Sequence, residues 1–375
     1  MPEKVIKFWD CEENLMWVEN SVFFEDLKKI NEVSYIDWEK LENSTVFVTG
    51  GTGLIGYTFI AAIAYRNIYL NSHIKVIALV RSLNKANLKF TDILKNENNG
   101  ITFIEGTLEN FPTLKGKIDY ILHAGGPTSS KFFANYPVET IKITLEGTSS
   151  ILALSAEKKI KSIVYLSSME VYGTNHTEEK IDEKHASFLD TMVPRNSYPE
   201  AKRMAENLFA SYAEEYGVPA KVVRLTQTFG PGISENDRRV FAQFINAAQN
   251  KKDIILLTEG TTKRNYLYTA DAVTAILAVM LNGRSGEAYN AANENTFCSI
   301  REMADLVANK VSHNMIKVKI QPGSTDELKA FLPPMVMNLS TKKLQALGWH
   351  ACVNLDDMYA RTIRSMNCYH IQGDK

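Results

Sequence analysis

The feature that most constrains the fold is a glycine-spaced turn caught between a strand and a helix. Thr45-Val-Phe-Val-Thr49 is a short β-rich run, Gly50-Gly51-Thr52-Gly53-Leu54-Ile55-Gly56 follows it, and an apolar stretch of helical length begins near Tyr57. Glycines are needed where a backbone turns tightly, where it approaches a pyrophosphate and where a helix packs closely on a strand. The helix N-terminus then offers N–H groups and the positive end of its dipole to the phosphates. A second apolar run, 75–80, completes the expected strand-turn-helix-strand unit. The pattern points to dinucleotide binding, with Gly50, Thr52, Gly53, Leu54, Ile55 and Gly56 forming the phosphate loop.

Beyond the loop, apolar runs at 101–106, 118–124, 162–168 and 220–226 alternate with amphipathic, helix-sized segments. That rhythm predicts an α/β fold, a Rossmann-type doubly wound parallel sheet. After Gly230-Pro231-Gly232 the strands thin to 254–258 and 265–269, followed by a helix over 270–281, so a smaller mixed C-terminal lobe is expected to complete a cleft. At roughly 150 residues per domain, the 375 residues allow two to three domains. The expected division is an N-terminal extension over 1–44 with short helices near 21–31 and 37–41, a dinucleotide-binding domain over 45–230, and a mainly substrate-binding lobe over 231–375. Segments are expected to be exchanged between the last two.

Lys and Arg number 42 against 43 Asp and Glu, a net charge of −1, which offers no electrostatic footprint for wrapping nucleic acid or lying on an anionic membrane. Any phosphate must be met locally. Cys11, Cys298, Cys352 and Cys368 are scattered, without zinc-ligand spacing, so reduced thiols and no metal are expected. The most apolar stretch, 46–65, is interrupted by glycines and falls short of a membrane span, and residues 1–10 do not read as a signal peptide. A soluble, cytoplasmic protein is the expectation.

The residue that reads the adenosine ribose stands at the end of the second strand, where an acid holds the 2′-hydroxyl of NAD. Here Arg81 and Ser82 occupy that place, with no Asp or Glu from Asn71 to Thr91. A guanidinium suits a 2′-phosphate, which favours NADP over NAD; stacking of Arg81 on adenine would suit either.

The strand 162–168 ends in Ser167-Ser168-Met169-Glu170, and Tyr198-Pro-Glu-Ala-Lys202 opens a later helix. Tyr198 and Lys202, at i and i+4, share one helical face. An ammonium so placed can lower a phenol's pKa and make it a usable acid or base.

With the glycine loop, strand-end Ser168 and Tyr198-x-x-x-Lys202 in this order, the chain from about 45 to 366 resembles the NAD-dependent epimerase/dehydratase family of extended short-chain dehydrogenases. Within it, the sequence is most similar to the UDP-glucuronate decarboxylase group. Further matching landmarks are His123-Ala124, Gly147-Thr148, Glu170-Val171-Tyr172-Gly173, Arg264-x-Tyr266, Asp271-Ala272 and Tyr289-Asn290, with Asp271 read on its own as a helix N-cap. The resemblance implies that Tyr198 is the catalytic acid/base, that Lys202 holds the nicotinamide ribose and that Ser168 bonds the hydroxyl to be oxidised. It also implies that His123 and Ala124 border the cofactor, and that Arg239 and Arg264 meet a nucleoside-diphosphate sugar. A homodimer through two long helices is implied in the same way.

In such enzymes oxidation at the sugar C4 gives a 4-keto species that acidifies C5. The dehydratases carry an Asp where this chain has Met169, which disfavours loss of water, while Glu170 is kept as a residue for a C5 proton or a uronate carboxylate. Gln227 replaces a common Asn, and Thr128 and Ser129 either line the cleft or cap a helix. The expected activity is C4 oxidation with bound NAD(P), then epimerisation or decarboxylation and return of the hydride. A 4-keto-sugar reductase using NADPH is the alternative; a non-catalytic dinucleotide sensor is a third, which the intact Ser168, Tyr198 and Lys202 disfavour.

Overall fold

The computed structural model describes residues 21–234, 236–323 and 334–373. Residues 1–20 of the expected extension, with Cys11, lie outside them. Six strands follow the apolar runs: β1 (Thr45–Thr49), β2 (Lys75–Val80), β3 (Ile101–Glu105), β4 (Tyr120–His123), β5 (Ser162–Ser168) and β6 (Ala220–Leu225). The remainder are β7 (Gln227–Phe229), β8 (Ile254–Leu256), β9 (Lys263–Tyr268), β10 (Glu287–Ala291), β11 (Asn293–Ser299), β12 (Val318–Ile320) and β13 (Val336–Met337). Between them run α1 (Ser21–Glu32), α2 (Leu54–Leu70), α3 (Leu83–Lys89), α4 (Thr91–Leu94), α5 (Ser130–Asn135), α6 (Pro137–Lys158), α7 (Ser197–Tyr216), α8 (Val240–Gln249) and α9 (Thr269–Asn282).

Seven strands make one parallel sheet in the order β10-β6-β5-β4-β1-β2-β3, the Rossmann-type arrangement expected. Thr49, the last residue of β1, is in register with Leu79 of β2 on one side and His123 of β4 on the other. Chain order reverses between β1 and β4, and such a switch point opens a crevice beyond the carboxyl ends of the strands. The central strands are covered on both faces, which is why they read as continuous rather than alternating apolar runs.

Helix α2 is apolar nearly all round, and its residues from Phe59 to Tyr65 are buried without a break. A helix of that kind needs cover on its outer side as well as against the sheet. Helix α1 supplies it. Phe23 stacks on Tyr57 with ring centroids 5.5 Å apart, and Phe24 meets Tyr65 and Tyr69 edge-on. Asp26 of α1, itself buried, accepts from the Tyr268 hydroxyl at 2.6 Å and pairs with Arg361 of the helix Leu355–Gly373 at 2.7 Å.

The chain leaves the large sheet at Thr226: β6 ends at Leu225, while β7 pairs with β9 in a smaller sheet that also holds β11 and β13. It then returns. Helix α9 packs against β5 and β6, and β10 adds the seventh parallel strand beside β6, with Tyr289 opposite Val223. Glu-Ala-Tyr-Asn-Ala is too short and too polar to announce a sheet strand by hydrophobicity alone. The Asp271 N-cap expectation does not hold. Helix α9 starts at Thr269 with Tyr268 in the cap position, and the Asp271 carboxylate instead accepts the N–H groups of Cys352 and Val353, each at 3.1 Å.

Among the described residues no helix is long and apolar enough to cross a membrane, and no His, Cys, Asp and Glu cluster suits a metal ion. Cys298 and Cys352 are free thiols.

Candidate active site

The crevice beyond β1, β4, β5 and β6 is a cleft of about 260 Å³. The glycine loop forms one wall. Gly50 has φ +72°, in the left-handed region, and a side chain on it would strike the Ala124 carbonyl oxygen at 2.5 Å. A side chain on Gly56 would run into the Gly50 carbonyl, so loop and helix are in backbone contact. Gly53 occupies the N-cap of α2 and no side chain caps that helix, which leaves its leading N–H groups to a ligand. Ala124, Gly125 and Gly126 continue the wall after β4. Tight glycine backbone, an uncapped helix N-terminus and flanking small residues fit the pyrophosphate of a dinucleotide.

Gly50, Gly53, Leu54, Ile55, Gly56 and Ala124 of the sequence-predicted cofactor residues line the cleft, and Thr52, Arg81, Ser82 and His123 stand outside its lining. The Thr52 carbonyl is tied to Lys89 Nζ at 2.9 Å. Arg81 is exposed just past β2, and the Ser82 hydroxyl is used as the N-cap of α3, accepting from Lys85 N. His123 is buried below the cleft, with Nδ1 2.8 Å from the Thr49 hydroxyl and the ring stacked on Tyr165. Burial, seconded by the nearby Lys202 charge, pushes its pKa down to about 3, so it is a neutral, structural imidazole.

Opposite the loop, β5 delivers Ser168, the turn after it Glu170, and α7 Tyr198 and Lys202; all four line the cleft. Ser168 caps the turn Met169–Tyr172, its hydroxyl accepting from Glu170 N at 3.2 Å, and stands beside the Tyr198 phenol, whose pKa it lowers. Tyr198 lies flat against Phe133 of α5, with centroids 4.1 Å apart and planes 9° from parallel.

The expected ammonium-to-phenol coupling takes a different form. Lys202 Nζ donates to the Leu166 carbonyl at 2.7 Å and sits 4.4 Å from the Tyr165 ring centroid but 5.8 Å from that of Tyr198. Burial pulls the Lys202 pKa down to about 7, opposed only by Glu206 one turn further along α7. Burial and the neighbouring Glu170 push Tyr198 well above its ordinary value; Ser168, Arg195 and Arg239 act against that rise. Positive charge reaches the phenol from arginines.

Burial also raises Glu170, and Arg195 and Arg264 pull it part of the way back. Arg195 was not distinguishable in the sequence from any other loop arginine; it stands in the turn Pro194–Asn196 just before α7. Its guanidinium approaches Glu170 to 3.9 Å. Of the expected substrate residues, Thr128, Gln227 and Arg239 line the cleft, as does Ser130, while Ser129 sits in the cap position of α5 and makes no capping bond. Arg239 pairs with Asp237 at 2.5 Å and lies over the Phe241 ring. Arg264 lies outside the lining. Its Nε and the Gln227 Oε1 are buried without hydrogen-bond partners, which leaves polar capacity unspent beside the site.

Comparison with known proteins places the chain in a family. The profile described as the NAD dependent epimerase/dehydratase family matches residues 46–292. The chain is 29% identical over 242 residues to UDP-glucuronic acid decarboxylase 5 of Arabidopsis thaliana, covering 64% of this chain and 67% of that protein. It is 26% identical over 333 residues to human dTDP-D-glucose 4,6-dehydratase, covering 85% and 88%. Among solved structures, UDP-glucose 4-epimerase of Thermotoga maritima superposes with a TM-score of 0.71 at 19% identity, covering 87% of this chain and 99% of that one. The NAD complex of dTDP-glucose 4,6-dehydratase from Bacillus anthracis gives 0.68 at 18%, covering 86% and 96%. The family profile spans most of the chain, from β1 to the end of β10, and the chain therefore belongs to the NAD dependent epimerase/dehydratase family.

Proposed function

We propose that the protein acts on the sugar of a nucleoside-diphosphate sugar, oxidising C4 and, after epimerisation or decarboxylation, restoring it. The observation that carries this reading is the convergence of Ser168, Glu170, Tyr198 and Lys202 on one cleft with the Gly50–Gly56 loop opposite. A nicotinamide dinucleotide bound there would supply the acceptor and donor of hydride at C4. The loop and the N-terminus of α2 would hold its pyrophosphate, and Lys202 its nicotinamide ribose.

In this reading Tyr198 Oη takes the proton of the C4 hydroxyl and returns it, with Ser168 Oγ orienting that hydroxyl. Burial gives the phenol a strong hold on its proton, and a nearby cation is needed to make it a usable base. Glu170 stands beside Tyr198 where C5 chemistry would follow, and a buried carboxyl of raised pKa is suited to holding and releasing a proton there. Met169 offers no acid for expelling a hydroxyl; it packs beneath the site, 3.3 Å from the Thr226 hydroxyl. That favours epimerisation or decarboxylation over dehydration. Thr128, Gln227 and Arg239 would contact the sugar diphosphate, with Arg264 behind them.

One observation favours a second reading. Arg81 is exposed at the carboxyl end of β2, in a stretch with no Asp or Glu from Asn71 to Thr91, which suits the 2′-phosphate of NADP and a net reduction of a 4-keto sugar. A homodimer in the cytoplasm is part of the proposal, supported by the exposed apolar side chains Val138, Ile141 and Met204 on α6 and α7. The deciding experiment incubates the protein with UDP-, dTDP-, GDP- and CDP-sugars, including uronates and 4-keto sugars, with NAD, NADP and NADPH supplied separately. Products are read by mass and NMR. An isomer or a product lighter by carbon dioxide is expected; a gain of two hydrogens selects the reductase, and no conversion of any sugar contradicts both.

A further inference from the structure

Arg195 occupies an unusual place for a loop arginine. The turn that carries it is tied back to the preceding segment: Asn196 N donates to the Val193 carbonyl at 2.9 Å and Asn196 Nδ2 to the Asp190 carbonyl, also at 2.9 Å. From this turn the guanidinium crosses the Phe133 ring, with Cζ 5.5 Å from the centroid, and its Nη1 comes within 3.9 Å of Glu170 Oε2. The opposite face of the story is Tyr198, whose own ring is stacked on Phe133. One arginine thus approaches the carboxylate directly and shares with the phenol ring a contact to Phe133. Its side chain is only 24% exposed, so solvent screens the charge weakly.

We propose that Arg195 is a positioning residue, a cation delivered from the loop ahead of α7 that orients the Glu170 carboxyl beside Tyr198 and tunes its hold on a proton. The inference rests on the reading of Glu170 and Tyr198 as the proton-carrying pair. The other groups facing Glu170 are Tyr198 from α7, Arg264 from β9, and the hydroxyl of Ser168 on its own segment; those facing Tyr198 are Ser168, Lys202, Tyr165 and Arg239. Of the two cations that act on Glu170, Arg195 exerts the larger effect, and only Arg195 acts on Tyr198 as well.

The direction of its effect follows from electrostatics. A cation within about 4–6 Å of a carboxyl favours the ionised form and lowers its pKa by roughly one to three units. Removing Arg195 must therefore raise the midpoint of Glu170. The full-length protein, labelled with carbon-13 at the glutamate side-chain carboxyl, reads this directly by NMR titration, the Glu170 resonance being identified by its loss in Glu170→Gln. Arg195→Gln is expected to move that midpoint up by roughly one pH unit, and Arg195→Lys to restore most of the shift. An acid limb of kcat moved by the same amount is expected for the sugar that the protein converts, with UDP and dinucleotide affinities unchanged. An unmoved midpoint in Arg195→Gln, or a lysine variant that titrates like the glutamine one, overturns the proposal. Should the glutamine variant not fold, Arg195→Met keeps the aliphatic stem on Phe133, removes only the charge and is read in the same way. The titration needs no turnover, so it stands or falls apart from Tyr198→Phe, which tests the underlying reading.

Discussion

At the scale of single residues, the cleft depends on backbone proximity as much as on side chains. Gly56 lies against the Gly50 carbonyl, and any Cβ there forces the loop from the helix that would present its N–H groups to a pyrophosphate. Gly56→Ala is expected to weaken dinucleotide binding at least about tenfold in calorimetry, more than the loss of one ordinary hydrogen bond of about 1 kcal/mol would give. Binding equal to wild type would show that the loop is not the phosphate site. That Gly56, Ser168, Tyr198 and Lys202 come together was legible in the sequence because their placement depends on short-range spacing within a turn, a strand end and one helical face. Arg195 and Phe133 were not. Each gains its meaning from a contact that the fold makes, across α5, the turn before α7 and β5.

Elements outside the cleft carry their own chemistry. The two N-terminal helical segments could be read from the sequence, but not the reason for them, which is the all-round apolarity of α2 and its need for an outer cover. Asp271 shows the same limit: at the start of a helix it reads as a cap, whereas tertiary contact makes it the acceptor that docks residues 352–353. Burial, only partly offset by those two N–H bonds, raises its pKa to about 6. An unfolded aspartate titrates near 3.9, so the folded state binds this proton more tightly. The contribution to stability is complete below about pH 4 and is lost as pH rises through about 6, by roughly 2–3 kcal/mol. Asp271→Asn keeps both acceptor contacts and removes the titration. Chemical denaturation at pH 4 and pH 7 is expected to show a smaller fall in stability with rising pH in the variant than in wild type; identical falls would mean that Asp271 titrates like an ordinary aspartate.

For the whole molecule, strand order does the positioning. The reversal between β1 and β4 opens the crevice, β5 and α7 bring the reactive side chains to one side of it, and the single residue Thr226 between β6 and β7 joins the two sheets at its edge. Most of the large sheet was visible as apolar runs, since strands buried on both faces advertise themselves. The return of α9 and β10 to that sheet was visible only as a general expectation of exchanged segments, because β10 is short and half polar and its place is set by pairing with β6. Near-zero net charge is consistent with such a plan, in which anionic ligands would be met by one helix N-terminus and a few placed arginines rather than by a charged surface.

The central claim is that this cleft transforms a nucleotide-linked sugar with Tyr198 as its acid and base. Tyr198→Phe removes one oxygen and leaves the ring on Phe133. Turnover of the converted sugar, measured beside dinucleotide affinity on the same preparation, is expected to fall roughly 10²- to 10⁴-fold while affinity stays near wild type. Turnover within a few-fold of wild type would contradict the account.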